Sequence, residues 1–273
     1  MTECQLVERS IIKKYRKQIW NRFIGGLKEY RMLSAGDKVA VCISGGKDSM
    51  LLAKCMQELE RHGSEVPFSC KFVVMDPGYT PENRQQIIEN AAKLEVPIEI
   101  VDAPIFRWVD KQTEGNPCYL CARMRRGYLY KFAQERGCNK IALGHHFDDV
   151  IETNLMSMLY RAEMRTMMPK LRSTNFEGME LIRPLYLVKE ADIIAWQRYN
   201  NLTFLRCACS MTAGLENDTM ESKRQEVKRL IADLRRQNPQ VDMNIFKSAE
   251  NVNLETILGY HTGEDTHSFL DTY

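Results

Sequence analysis

The chain has 273 residues, 44% of them hydrophobic and 27% charged, with a formal net charge of +2. That length suits one large α/β domain or a medium domain with extensions, and the composition excludes a disordered chain. No run approaches the ~20 apolar residues of a membrane span, and the start lacks a secretory apolar stretch, so a cytoplasmic protein without membrane attachment is expected.

From Leu6 to Tyr30 the pattern predicts an amphipathic helix, with Ile11, Tyr15, Ile19, Phe23 and Leu27 recurring every four residues. Its other face holds Lys13, Lys14, Arg16, Lys17 and Arg22, which suits either solvent or an RNA backbone. Strands follow at Lys38–Ile43, Phe72–Met75, Ile98–Val101, Lys140–Leu143 and Leu181–Leu185. Between and after them, helices are expected at 49–61, 81–94, 123–136, 148–160, 190–199 and 221–237, with the remaining tail irregular. Strand–helix alternation of this kind predicts a doubly wound α/β fold with a parallel sheet covered on both faces. The organisation expected is an N-terminal helix over 1–30, a catalytic domain over 31–200 and a C-terminal segment over 201–273.

Ser44-Gly45-Gly46-Lys47-Asp48-Ser49 lies between the first strand and its helix. Glycines permit a tight turn and close ligand approach, and the helix start offers free N–H groups to phosphate. Lys47 adds a cation, and the two serines add hydroxyls. A tight turn capped by serine would need fewer of these residues. The hexapeptide resembles the PP-loop of the adenine nucleotide α-hydrolase-like superfamily, whose members cleave ATP between its α and β phosphates. Gly144-His145-His146-Phe147-Asp148-Asp149 also follows a strand and opens a helix. There Gly144 allows close approach, Asp149 suits Mg²⁺, and Asp148 suits a helix cap. Of the two histidines, His146 reads as a packing residue. Met75 ends the second strand, where an open sheet would receive adenine. Lys47, Asp48 and Asp149 are the candidate catalytic residues.

Cys118-Tyr119-Leu120-Cys121 places two thiols where one metal or cluster could take both, and Arg123, Arg125 and Arg126 nearby favour thiolate. Cys207-Ala208-Cys209 offers a further ligand. Zinc, a redox dithiol and a [4Fe–4S] cluster all remain open on spacing alone. Cys42, Cys55 and Cys70 read as small buried apolar residues.

The stretch Pro117 to Tyr130, with Ala142–Asp149, Met168–Leu171 and Ile182–Leu185, resembles the tRNA 2-thiocytidine synthetase family of PP-loop enzymes, from about Leu33 to Asn253. The resemblance implies a [4Fe–4S] cluster held by Cys118, Cys121 and one later cysteine. The later pair is Cys-x-Cys here rather than Cys-x-x-Cys, and Cys209 matches the family ligand better than Cys207. It also implies that Arg125 faces the ATP phosphates, that ATP and Mg²⁺ are used, and that tRNA is the substrate. Sulfur would come from a cysteine desulfurase or from sulfide, and two copies of the chain could pair. Basic residues Arg123, Arg125, Arg126, Arg161, Arg165, Lys170, Arg172, Lys223, Arg224, Lys228 and Arg229 are candidates for RNA contact, with a solvated face the alternative for the last four. Rival readings are a uridine thiolase, an amino-acid ligase of the lysidine synthetase type, and a metal-stabilised RNA-binding protein without catalysis.

Overall fold

The structure is a computed structural model that describes residues 1–103, 105, 117–205, 219–271 and 273. The chain divides into two compact units, residues 1–150 with 168–218, and residues 151–167 with 219–273.

The first unit is built on a six-stranded sheet. Its strands are β1 (Asp37–Ile43), β2 (Phe68–Asp76), β3 (Ile98–Asp102), β4 (Lys140–Ala142), β5 (Lys170–Arg172) and β6 (Glu180–Ile182). Their order is β3-β2-β1-β4-β6-β5, all parallel except β5. In β1, Val39 to Ile43 are all buried, as a strand covered on both faces requires. Antiparallel β5 was not expected from the sequence. Three residues, two of them cationic, make it a short charged edge of the kind that resists sheet-to-sheet pairing. Its register sets Lys170 opposite Ile182, so the Met-Pro-Lys-Leu and Ile-Arg-Pro-Leu motifs are neighbours.

Helices α1 (Glu3–Arg9) and α2 (Asn21–Glu29) are joined by two π-helical turns, Ser10–Lys14 and Arg16–Trp20. A four-residue apolar repeat exceeds the 3.6 residues of an α-helical turn and would slip about 40° per repeat. The wider i→i+5 turns take up that slip. Ile11, Ile19 and Phe23 are thereby wholly buried in one column. The Tyr15 hydroxyl donates to the Ala195 carbonyl at 3.0 Å.

Four further helices serve this sheet: α3 (Lys47–His62), α4 (Pro81–Lys93), α5 (Pro117–Glu135) and α7 (Glu190–Tyr199). Between α5 and α7, α6 (Phe147–Arg161) starts in the first unit and continues into the second. Helix α5 begins six residues before the expected 123, so Cys118 and Cys121 belong to a helix rather than a loop. Proline at the first helical position is compatible with that start. From Ser49 to Leu59 every residue of α3 is buried. Lys54, without any exposed surface, donates to Glu8 and Gln57 at 2.6 Å and to the Leu94 carbonyl at 2.9 Å.

The second unit holds most of α6 with α8 (Thr219–Gln237) and α9 (Val241–Ser248). Buried Glu152 accepts from Arg224 at 2.7 Å, with Lys228 at 3.7 Å. The tail is not irregular as expected. After α9 comes a hairpin, β7 (Gly259–Thr262) with β8 (Asp265–Ser268), whose mostly exposed polar residues give no alternating signature.

Candidate active site

Chain order creates the site. The chain runs outward from β1 to β2 and β3, then returns to β4 on the other side of β1. Loops leaving β1 and β4 therefore diverge, and ligands of open α/β sheets enter the crevice at such a switch point. The loops there are Ser44–Ser49 and Gly144–Asp149.

Gly45 has φ +84°, which favours glycine, and a Cβ there would lie 2.7 Å from Ile87 Cγ1. Gly144 meets the other loop: its Cβ would lie 3.0 Å from the Asp48 carbonyl carbon and from Ser49 N. Gly46 caps α3 with extended backbone and no side-chain cap. The Ser49 hydroxyl accepts from Ser44 N at 3.1 Å and donates to the Gly46 carbonyl at 2.9 Å, closing the turn. The Gly45 carbonyl accepts from Leu205 N at 3.2 Å.

Lys47 Nζ reaches Glu190 at 3.0 Å and Asp48 at 3.1 Å. Burial alone would lower its pKa, but the two carboxylates outweigh burial and hold it above the ordinary lysine range. For Asp48, burial dominates and raises its carboxyl pKa, against the opposing pull of His146 and Lys47. Its Oδ1 is buried and has no hydrogen-bond partner among the described residues. His146 Nε2 lies 3.8 Å from that oxygen. Asp149 Oδ2 accepts from His146 N at 2.9 Å, and Asp149 N donates to His146 Nδ1 at 3.4 Å. His146 is thus buried, as expected, but tied to both acidic residues rather than packed as an apolar ring. Asp148 accepts from Glu190 N at 2.7 Å at the start of α7.

A cavity of about 420 Å³ opens over these loops, within the range of small-molecule sites. Ser44, Asp48, Ser49, Met75, Arg125, Gly144 and Asp149 all line it. Gly45, Gly46 and Lys47 belong to the same turn. Six further lining residues were not assigned to the ATP site from sequence, namely Cys42, Ile43, Arg126, Leu129, Leu143 and His145. Arg126 could have been found as the neighbour of Arg125 in the cysteine-bearing helix. Arg183, behind the cavity, donates through Nε to His145 Nδ1 at 3.3 Å and through Nη1 to the Met168 carbonyl. Burial, aided by the like charge of Arg126, pushes its guanidinium down to about 10. Glu190 was missed as well, since its partner Lys47 lies 143 residues away.

Helix α5 carries Arg125 one turn after Cys121, about 6 Å along the axis. Cys207 and Cys209 lie outside the described residues. Among the described residues no three His, Cys, Asp or Glu side chains gather as metal ligands. Cys42 and Cys55 are buried, as expected, whereas Cys70 is only half-buried. Burial pushes the Cys42 thiol up to about 12 and raises the thiols of Cys55 and Cys70, which disfavours the thiolate a metal needs. Of the basic residues proposed for RNA, Arg224 and Lys228 pair with Glu152, and Lys170 and Arg172 with Glu180.

A PP-loop domain family model matches residues 13–212. The tRNA-cytidine(32) 2-sulfurtransferase of Coxiella burnetii is 36% identical over 245 residues, covering 88% of this chain and 91% of that protein. The protein of the same name from Bdellovibrio bacteriovorus is 36% identical over 250 residues, 90% of each chain. Among solved structures, the U34-tRNA thiolase NcsA of Methanococcus maripaludis, with its [4Fe–4S] cluster, superposes with a TM-score of 0.67 at 21% identity. That match covers 89% of this chain and 80% of that one, and it speaks to the fold.

Proposed function

We propose, from the premise that this chain belongs to the PP-loop family and within it to the tRNA 2-thiocytidine synthetase-like sulfurtransferases, that it replaces the C2 oxygen of a tRNA cytidine with sulfur. It is an ATP-dependent tRNA sulfurtransferase by that membership; the base, the cluster and the residue roles are the proposal. The observation that carries it is the meeting of three parts at one cavity: the Ser44–Ser49 turn, the Gly144–Asp149 loop and Arg125 of the cysteine-bearing helix.

In the first step the base oxygen attacks the α-phosphorus of ATP, and the bond to pyrophosphate breaks. Free N–H groups at the start of α3, with Lys47, stabilise the charge that develops on the leaving pyrophosphate. Arg125 faces the phosphates from α5, and Met75 packs against adenine. Asp48 and Asp149 suit Mg²⁺, since the buried Asp48 Oδ1 lacks a donor and a hard cation would satisfy it. In the second step sulfide adds at C2, the carbon–oxygen bond breaks and AMP departs with the oxygen. Cys118, Cys121 and Cys209 hold a [4Fe–4S] cluster, which when bound supplies an open iron for sulfide. Two facts support that set: Cys121 lies one helical turn from Arg125, and Leu205, four residues before Cys209, hydrogen-bonds the turn at Gly45. The sulfur donor is a cysteine desulfurase or sulfide, and the setting is the cytoplasm. No described helix is long and apolar enough to cross a membrane.

Unmodified tRNA incubated without oxygen with the protein, ATP, Mg²⁺ and sulfide should yield AMP, pyrophosphate and 2-thiocytidine on nucleoside mass spectrometry. Sulfur on uridine would move the chain to the uridine thiolases. An amino acid on the base would make it a ligase, and no AMP would leave an RNA-binding protein without catalysis.

A further inference from the structure

The N-terminal helical segment and the far end of α7 enclose an open cleft of about 650 Å³, lined by Arg9, Lys13, Lys14, Tyr199 and Asn200 among others. Its charge is one-sided. The carboxylates of the same segment are neutralised elsewhere, Glu3 by Lys93 at 2.8 Å and Glu8 by Lys54 and Arg61. By contrast Arg9, Lys13, Lys14, Arg16, Lys17 and Arg198 are exposed and form no ion pair among the described residues. The C-terminal dipole of α7 opposes an anion by only about half a charge. The three full positive charges that line the cleft, Arg9, Lys13 and Lys14, outweigh it.

An aromatic ring sits among them. Tyr199 is 55% exposed, with Lys14 Nζ 4.4 Å from its centroid and the Tyr15 ring edge-on at 6.0 Å. The helix end that presents it is fixed. Asn200 donates to Ser10 Oγ at 3.0 Å and to the Trp196 carbonyl at 2.8 Å, and Asn201 closes the helix at φ +50°.

We infer that this cleft binds RNA beside the catalytic site, with the cations on backbone phosphates and an unpaired base stacked on Tyr199. The inference rests on the proposed tRNA substrate and names a surface that takes it. Cations interleaved with an exposed aromatic are what single-stranded nucleic acid requires. An anionic membrane fits less well, because the polar Asn200 and Asn201 line the cleft and Leu6 is the one strongly exposed aliphatic side chain among its lining residues. Helix α7 joins the two sites: Glu190 at its start holds Lys47, and Tyr199 ends it. Ten helical residues span about 15 Å, so one RNA molecule can reach both.

The test is binding of a fluorescent unmodified tRNA transcript across about 50–200 mM salt. Lys13→Ala/Lys14→Ala should lower the slope of log affinity against log salt by about 1.5. Tyr199→Ala should weaken binding about tenfold, while Tyr199→Phe keeps it. ATP binding should stay at the wild-type level in all three, showing that the fold is intact. Unchanged affinity and slope in the variants, with wild-type protein binding tRNA, would overturn the cleft alone. Wild-type protein that binds no tRNA would overturn the substrate reading as well. Loss of phosphatidylserine vesicle binding in the variants, with tRNA binding intact, would assign the surface to membrane and refute the inference.

Discussion

Replacing Gly144 with alanine puts a methyl group against the backbone of the nucleotide turn. The new Cβ would lie 3.0 Å from the Asp48 carbonyl carbon, 3.0 Å from Ser49 N and 3.1 Å from Ser49 Cα. Carbon contacts settle at about 3.5–4.0 Å, so roughly half an ångström must be found. The obstructing atoms are backbone at the buried start of α3, not the swinging end of a side chain. Overpacking of this kind costs about 1–3 kcal/mol, which lowers Tm by about 2–12 °C in a domain of this size. The same push displaces N–H groups meant for phosphate, so ATP affinity should fall by about tenfold or more. Gly127→Ala is the control, because its Cβ meets nothing within 4 Å and it sits inside α5. It should stabilise by about 0.5–1 kcal/mol. Thermal unfolding and ATP titration read both effects. A Gly144→Ala protein with wild-type Tm and ATP affinity would refute the close approach of the two loops.

Lys47→Ala should reduce AMP formation by about 100-fold or more while the circular dichroism spectrum stays native; retained turnover would contradict its role at the phosphates. Anaerobically purified protein should contain near four iron and four sulfide per chain, lost in Cys118→Ala and Cys209→Ala but kept in Cys207→Ala. Stoichiometric zinc without sulfide would sink the cluster. Since Asp48 titrates above the ordinary aspartate range and Mg²⁺ needs the carboxylate, Mg·ATP affinity should weaken as pH falls through that raised value. Asp48→Asn should flatten the profile. The sign for stability is opposite: the Asp48 proton favours the folded state, and that contribution is lost as pH rises through the raised value. Glu8→Ala should destabilise by about 3–5 kcal/mol, since it strips the partner from a buried ammonium, whereas Glu3→Ala should change little.

The parallel core was legible because β1 and β2 are apolar runs that precede glycine or proline punctuation, and the turn after β1 carries its chemistry in six adjacent residues. Less visible were features fixed by partners distant in sequence. Glu190 reads as an ordinary helix start, and only folding brings it to Lys47. Antiparallel β5 is three residues long and owes its existence to pairing with β6. The hairpin of β7 and β8 lacks alternation because both faces meet solvent. Arg224 and Lys228 look like any charged helical face until Glu152 is found facing them.

The buried Lys54 bears on how the molecule comes to be made. Its ammonium is enclosed by Glu8, Gln57 and the Leu94 carbonyl, and the sole carboxylate in that set comes from the first helix. Chains emerge N-terminus first, so the counter-charge is already outside the ribosome when α3 appears. The amphipathic leader thus behaves as a built-in folding partner, held ready for the helix that carries the nucleotide turn. A circular permutant that moved residues 1–30 to the end would reverse that schedule. Its α3 would wait without the Glu8 carboxylate until the last segment arrived.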